Sequence, residues 1–557
     1  MKKRECYVVV TGGVLSGLGK GLFVSSLGTL LKSKGFNVVP IKIDPYVNVD
    51  AGTMNPMEHG EVFVLDDGSE VDMDLGNYER FLDLTLTSKS NITTGKIFKQ
   101  IIEKERRGDF LGKTVQLIPH VTAELKEWYK NIAKESGADI ILIEIGGTIG
   151  DIENQVFLES VRELSLEEKV MFIHCTLVPV IGVVGEQKTK PAQQSVRILR
   201  EIGVIPNMIF CRSEEEILDS IKEKISKFCG VKKEFVISGP DLKNIYEIPL
   251  ILEKQAVADK VANYFGFESS ESQMEMWKKF VHSMNNPINE ITIAITGKYT
   301  YLKDAYISVI ESLYHAGGNL KCNIKLRWIE TTDITDENEI RNLLKDIDGI
   351  LVPGGFGSRG TEGKMLFIKY ARENNIPFLG LCYGFQLAVI EFARNVCNIE
   401  DANSTEIKID CKNPVITIME EQKNIIKKGG TMRLGKYPAI LKKNSLVHKL
   451  YGEEKIFERH RHRYEVNNDY KTILENNGMV FSGMSPNNML VEFLEFPKHR
   501  FFVATQAHPE FTSRPLKPNP IFIGFVKACL DSQSFFRETG KNSDYSKIQK
   551  INFSFNM

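Results

Sequence analysis

Tyr7-Val8-Val9-Val10-Thr11-Gly12-Gly13-Val14-Leu15-Ser16-Gly17-Leu18-Gly19-Lys20-Gly21 begins as an apolar strand and breaks into a glycine-rich turn. A helix is expected to follow. Gly13 to Lys20 fits the G-x-x-x-x-G-K part of a P-loop. Backbone N–H groups in such a loop close around phosphate oxygens, and the N-terminus of the helix adds positive potential. Lys20 is spaced to reach the outer phosphates. The plainer alternative is a strand–helix turn with a surface lysine. The strand before and the helix after favour the phosphate site.

The motif departs from the standard P-loop at one position. Gly21 stands where Ser or Thr would bind Mg²⁺, so the metal must be held elsewhere. Mg²⁺ takes one or two carboxylates plus phosphate oxygens. Asp74, in Glu70-Val71-Asp72-Met73-Asp74-Leu75-Gly76, and Glu144, which closes Ile140-Ile141-Leu142-Ile143-Glu144, are the candidates. A carboxylate at the end of a buried strand is costly unless paired or metal-bound. Strand C-terminal ends are also where α/β sheets bind ligands. Lys42 lies at another strand end. Lys188 and Lys190 lie in a Gly/Pro-bounded loop and are spaced to grip a second polyphosphate, although the pair taken alone reads first as a solvated surface loop.

Around this stretch the pattern is α/β. Tyr7–Thr11, Val38–Ile43, Ile140–Ile145 and Met208–Cys211 read as strands, and Ser25–Lys34 and Gln193–Ile202 as helices. Alternation of this kind predicts a mostly parallel sheet flanked by helices. A composition shift at residues 269–289 reads as a linker with one short helix. A second β/α series then runs from residue 290 to 537 through Ile291–Thr296, Ile350–Val352, Phe378–Leu381 and Val503–Gln506. Residues 538–557 read as a polar tail.

The 557 residues exceed what one hydrophobic core supports, so two or more domains are expected. Basic and acidic residues number 71 and 72, which excludes a whole-chain nucleic-acid binder. No run of 18 apolar residues occurs, so no transmembrane helix is expected. The Met-Lys-Lys-Arg start is not read as a signal peptide, because glycines and Lys20 interrupt the apolar run. Nine scattered cysteines without a C-x-x-C pair read as reduced thiols, which predicts a cytoplasmic protein.

The second half holds its own chemistry. Pro377-Phe378-Leu379-Gly380-Leu381-Cys382-Tyr383-Gly384-Phe385-Gln386 has the layout of a nucleophile elbow. A cysteine at a helix N-terminus is favoured as thiolate, the reactive form. Gln506-Ala507-His508-Pro509-Glu510 supplies His508 as base and Glu510 to orient it. Leu351-Val352-Pro353-Gly354-Gly355 offers backbone donors for an oxyanion. The three motifs together predict hydrolysis of a small amide through a thioester.

The elbow with His-Pro-Glu resembles the class I glutamine amidotransferases. Joined to the Gly12–Gly21 loop, the chain resembles the CTP synthase family. Lys42-Ile43-Asp44-Pro45-Tyr46, His59-Gly60-Glu61-Val62-Phe63-Val64, Gly146-Gly147-Thr148-Ile149-Gly150-Asp151-Ile152-Glu153, Gly430-Thr431-Met432-Arg433-Leu434-Gly435 and Glu458-Arg459-His460-Arg461-His462-Arg463-Tyr464-Glu465 support the likeness, from residue 7 to about 530. It implies a dethiobiotin-synthetase-like first domain and a flavodoxin-like glutaminase domain. The implied reaction converts UTP, ATP and glutamine to CTP, ADP, phosphate and glutamate.

The resemblance implies roles residue by residue. Ser16 would touch the pyrimidine nucleotide, and Gly17, Leu18, Gly19, Lys20, Gly21 and Leu22 would cradle ATP with Asp74. Pro240, Asp241 and Leu242 would lie near the adenine; the family often has lysine at the first. Asp151, Ile152 and Glu153 would contact inhibitory CTP. Lys188, Thr189, Lys190, Pro191, Ala192, Gln193 and Lys224 would bind the triphosphate shared by UTP and CTP. Gly354, Gly355, Tyr383, Gly384, Phe385, Gln386, Glu406 and Arg463 would hold glutamine and its oxyanion. Thr431 and Arg433 would belong to a loop through which GTP activates. Pro56, His59 and Val62 would line an internal ammonia passage. The family assembles as homotetramers, some of which form filaments. Two other readings stay open: a glutamine-dependent amidoligase with a carboxylate acceptor, and a nucleotide-dependent scaffold.

Overall fold

A computed structural model describes residues 5–182, 185–297, 303–419, 422 and 430–539. Most of the expected polar tail, from residue 540, lies outside the described residues. The chain forms two compact units, Met1–Thr53 with Ser69–His282, and Met54–Gly68 with Ser283–Met557.

The first unit is built on seven strands: β1 (Cys6–Gly12), β2 (Val38–Asp44), β3 (Asn91–Thr93), β4 (Ile140–Ile145), β5 (Lys169–Leu177), β6 (Met208–Ser213) and β7 (Val236–Pro240). Their order is β7-β6-β5-β1-β4-β2-β3, and every pairing is parallel. Helices cover both faces, so Val8, Val9 and Val10 are fully buried. Burial of each stabilises by about 1.5–3 kcal/mol. The chain adds β2, β3 and β4 on one side of β1, then β5 on the other, so the loop after β1 lies at the topological switch point.

The segment read as a linker with one short helix contains the helix Glu275–Asn285. This helix packs on the first unit, because Trp277, Phe280 and Val281 form one apolar face. The Trp277 indole N–H donates to the Tyr246 carbonyl at 2.8 Å, and the Tyr246 ring stacks on Phe81.

The second unit has nine main strands: β8 (Asn289–Gly297), β9 (Cys322–Glu330), β10 (Gly349–Val352), β11 (Phe378–Leu381), β12 (Arg433–Leu441), β13 (Lys455–His462), β14 (Val480–Met484), β15 (Val491–Glu495) and β16 (Phe502–Thr505). Their order is β9-β8-β10-β11-β16-β15-β14-β12-β13. The part from β9 to β16 is parallel, as expected. Beyond β16 the sheet continues antiparallel, an extension the β/α alternation did not reveal.

The segment Met54–Gly68 was assigned by sequence order to the first domain, yet it packs within the second unit. Buried Arg459 explains this. Its guanidinium donates to Asp66 Oδ1 at 2.6 Å and to the Val64 carbonyl at 3.0 Å. Phe63 packs edge-on against Phe511, and Glu61 accepts from the Ser308 backbone.

Candidate active sites

In the first unit the loop after β1 enters α1 (Lys20–Ser33) through Gly19 at φ 78°, a left-handed conformation that favours glycine. No side chain caps α1, and its first turn holds no acidic residue. Its first N–H groups are therefore left for an anion. Lys20 is buried, and its ammonium donates to the Gly147 carbonyl at 2.9 Å.

Parallel register sets Lys42 of β2 beside Glu144 of β4. Asp74 comes from α2 (Met73–Leu82), whose N-cap Asp72 accepts from the Asp74 N–H at 2.9 Å. The Lys42 ammonium bonds to Asp74 and lies 3.4 Å from Glu144 and 3.5 Å from Asp44. Burial opposes its charge, but these carboxylates outweigh it and hold Lys42 well above the usual lysine range. For Asp74, burial acts upward and the Lys42 ammonium prevails, so its carboxyl sits below the usual range. Burial raises Glu144. The Tyr78 hydroxyl donates to Glu144, a contact the sequence did not suggest.

The side-chain space at Gly21 is taken by the Asp74 carboxylate. Among the described residues no three His, Cys, Asp or Glu side chains converge as a preformed metal site. Two carboxylates completed by nucleotide oxygens are the donor set Mg²⁺ accepts, so Asp74 and Glu144 fit it.

The remaining first-unit residues lie on loops at strand ends and on the helices that follow them. Ser16, Asp151, Ile152 and Glu153 are exposed, and Asp151 accepts from the Thr148 N–H at 2.9 Å. Leu18 is buried and Leu22 half-buried. Thr189 precedes α3 (Lys190–Glu201), and its hydroxyl accepts from Gln193 at 2.9 Å. Lys188 pairs with Glu186 at 2.5 Å and lowers its carboxyl, and Lys224, on the helix Asp219–Cys229, adds to that lowering. Pro191 lies in the first turn of α3, and the Ala192 side chain is fully buried. Pro240 ends β7; Asp241 is paired to Arg212 at 2.5 Å, and Leu242 follows half-buried.

In the second unit three adjacent strands converge. Gly354 follows β10, Cys382 follows β11 and His508 follows β16. Cys382 sits at φ 47°, a strained conformation for a residue with a Cβ and the mark of a nucleophile elbow. It precedes α4 (Tyr383–Asn395), and its N–H donates to the Thr505 carbonyl at 2.7 Å. Gly384 is required sterically, since a Cβ there would collide with the Val352 carbonyl. A Cβ on Gly354 would lie 3.1 Å from the His508 ring and 3.8 Å from Cys382 Cβ, so this backbone borders both reacting groups.

His508 Nδ1 bonds to Glu510 Oε1 at 2.7 Å. Burial would lower the imidazole, but Glu510 and then Cys382 push it up to about 10. The other nitrogen, Nε2, is buried without a protein partner. Around this pair, Glu406 accepts from the Gly357 N–H at 2.7 Å and the Tyr383 hydroxyl donates to the Gly357 carbonyl at 2.5 Å. A Cβ on Gly355 would lie 3.8 Å from Tyr383. Phe385 is fully buried in the core. Arg463 donates to the Thr431 hydroxyl at 3.0 Å, which joins two residues assigned separately from sequence.

Arg433 is not displayed for a ligand. It is buried, bonded to Glu492 at 2.7 Å and Glu465 at 3.2 Å, and stacked over Tyr437. Pro56 and His59 lie on the short helix Pro56–His59, with His59 exposed, and Val62 is buried.

Two family models cover these regions. The CTP synthase N-terminus model matches residues 6–267, and the class-I glutamine amidotransferase model matches residues 301–528. A CTP synthase of Methanocaldococcus jannaschii is 54% identical over 94% of this chain and 98% of its own. Those of Caldanaerobacter subterraneus and Sulfolobus acidocaldarius are each 52% identical, over 94% and 93% of this chain and 98% of their own. With likeness at this level running through both the phosphate loop and the cysteine elbow, the chain belongs to the CTP synthase family.

Proposed function

We propose that this protein is a glutamine-hydrolysing CTP synthase: UTP, ATP and L-glutamine give CTP, ADP, phosphate and L-glutamate. The observation that carries the reading is a complete Cys382–His508–Glu510 site in the same chain as a phosphate loop backed by Lys42, Asp74 and Glu144.

In the glutaminase reaction the Cys382 thiolate attacks the side-chain amide carbon of glutamine. Backbone N–H groups near Gly354 and Gly355 take the developing oxyanion. As the C–N bond breaks, His508 gives its proton to the leaving ammonia, and Glu510 holds the imidazolium. Water then attacks the thioester with His508 as base, and glutamate leaves. Glu406 suits the substrate α-ammonium and Arg463 its carboxylate. Gln386 Oε1 is buried without a protein partner, which suits an acceptor for substrate.

In the synthetase reaction the γ-phosphoryl group of ATP passes to O4 of the uracil ring. That converts a poor leaving group into phosphate, and ammonia displaces it at C4. Lys20 and Lys42 neutralise charge on the phosphates. Mg²⁺ held by Asp74 and Glu144 supplies further charge neutralisation when bound. Lys188, Lys190 and Lys224 grip the triphosphate of UTP. CTP shares that pocket and inhibits, with Asp151 to Glu153 on its base side.

GTP activates glutamine hydrolysis at the Thr431 loop. Ammonia travels past Pro56, His59 and Val62. The enzyme works as a homotetramer in the cytoplasm. Among the described residues no helix is long and apolar enough to cross a membrane, and no disulfide joins any of the nine cysteines. The test is absorbance of the pyrimidine ring with UTP, ATP, Mg²⁺, GTP and glutamine. Conversion to cytosine is expected; no CTP under these conditions overturns the reading.

A further inference from the structure

Gln506 lies between β16 and the catalytic histidine and is fully buried. Its backbone N–H donates to the Glu492 carbonyl at 2.9 Å, so the residue is anchored at the main chain. Its side chain joins a chain of three hydrogen bonds. Gln386 Nε2 donates to the Tyr464 carbonyl at 3.0 Å and to Gln506 Oε1 at 3.2 Å, and Gln506 Nε2 approaches Cys382 Sγ at 3.6 Å.

The polarity of this chain is fixed at its far end. A backbone carbonyl only accepts, so the Gln386 NH₂ must face Tyr464. The same NH₂ group presents a donor to Gln506, whose oxygen must therefore face Gln386. That leaves the Gln506 NH₂ no orientation except toward the sulfur. A donor aimed at a thiolate favours the charged form over the thiol.

We propose that Gln506 is a further catalytic residue of the glutaminase reaction: its amide donates to Cys382 Sγ and stabilises the thiolate, in the orientation Gln386 imposes. The inference rests on the glutaminase reading above. Other ionisable groups border this site, among them buried Lys364, whose ammonium lies over the Tyr383 ring. His508 and Glu510 come from the loop after β16. His460 and His462 of β13 are held neutral, well below the usual imidazole range, by burial and then by Arg433 of β12. Arg433 is itself paired with Glu492 and Glu465, whose carboxyls burial raises. The Arg461 guanidinium lies over Phe356, and the Arg461 backbone carbonyl accepts from the Cys382 thiol at 3.8 Å. Burial raises the Tyr383 phenol, so it stays neutral.

The test uses the full chain carrying Gln506→Leu or Gln506→Glu, with Cys382→Ala as the blank for the other cysteines. The rate of Cys382 alkylation by iodoacetamide is followed against pH, beside kcat and KM for glutamine. A hydrogen bond to a charged group is expected to move the alkylation midpoint up by about one pH unit in Gln506→Leu. The shift is larger in Gln506→Glu, which sets a carboxylate against the sulfur. Glutaminase kcat falls about tenfold in Gln506→Leu, with KM nearly unchanged. If Gln506→Leu does not fold, the nearly isosteric Gln506→Glu carries the test. Alkylation midpoints equal to wild type in a folded variant overturn the inference, since a packing role alone leaves them in place. Glutamine hydrolysis by Cys382→Ala would instead overturn the glutaminase reading itself.

Discussion

The carboxylate of Asp74 fills the space that a side chain on residue 21 would need. In a standard P-loop that space holds the metal-binding hydroxyl. On the proposed reading the metal ligand is Asp74, in the N-terminal turn of another helix, and glycine stands where the hydroxyl would be. Gly21→Ser is expected to weaken Mg²⁺-dependent ATP binding tenfold or more, about 1.4 kcal/mol. Adding Asp74→Ala to that variant makes room for the hydroxyl and recovers part of the loss. Calorimetric titration with ATP and Mg²⁺ measures both, and equal affinity of the single and double variants would refute the exchange.

Gly384 and Cys382 separate geometry from chemistry. Cys382→Ala is expected to abolish use of glutamine and to leave use of free ammonia. Gly384→Ala forces the elbow away from Val352, with a stability cost of about 1–3 kcal/mol and loss of glutaminase activity. Coupled assays with glutamine and with ammonium salts, and urea unfolding, give the readouts.

His508 links the site to pH. Its folded value, about 10, lies above the ordinary 6.5, so the protonated ring is favoured in the folded state. The stability this contributes is fully present below about pH 6.5 and is lost as pH rises through about 10. Glu510→Gln removes the main cause. The wild type is therefore expected to be the more stable protein at pH 6.5 and to lose that advantage by pH 10. Urea midpoints at a series of pH values decide it; a constant difference would count against the pairing.

Arg459 is almost fully buried, while its partner Asp66 is one-quarter exposed. Arg459→Met removes the buried donor to the Val64 carbonyl and one of two cations on Asp66, leaving Lys436 at 3.1 Å, at a cost of about 1–3 kcal/mol. Asp66→Asn is expected to cost less, because water still reaches that side chain. The same Arg459 offers its backbone carbonyl to the His508 N–H at 2.7 Å, and Phe511, which packs on Phe63, stacks on the His508 ring. Arg459→Met is thus expected to lower glutaminase kcat as well as the unfolding midpoint, and calorimetric scanning with a glutaminase assay tests both.

The parts of the sites that were legible in sequence are local. Gly12–Gly21 and the Cys382 elbow each carry their backbone requirement in a few adjacent residues. The proposal of Asp74 as metal ligand likewise starts from a local feature, the missing hydroxyl at residue 21. What escaped depends on pairing across long separations. Tyr78 meets Glu144, and Gln386 orients Gln506, only once strands and helices are placed. Arg433 reads as a loop cation beside Thr431, yet β12 turns it inward onto Glu465 and Glu492. A short helix is legible at residues 269–289, but Trp277 meets Phe81 and Tyr246 only in the folded unit.

The excursion of Met54–Gly68 bears on the inheritance of the protein. The chain leaves the first unit after Thr53, returns at Ser69 and leaves again after His282. A gene divided at that last junction would yield a second half lacking Phe63, Val64 and Asp66, and with them the contacts they make to Phe511 and Arg459.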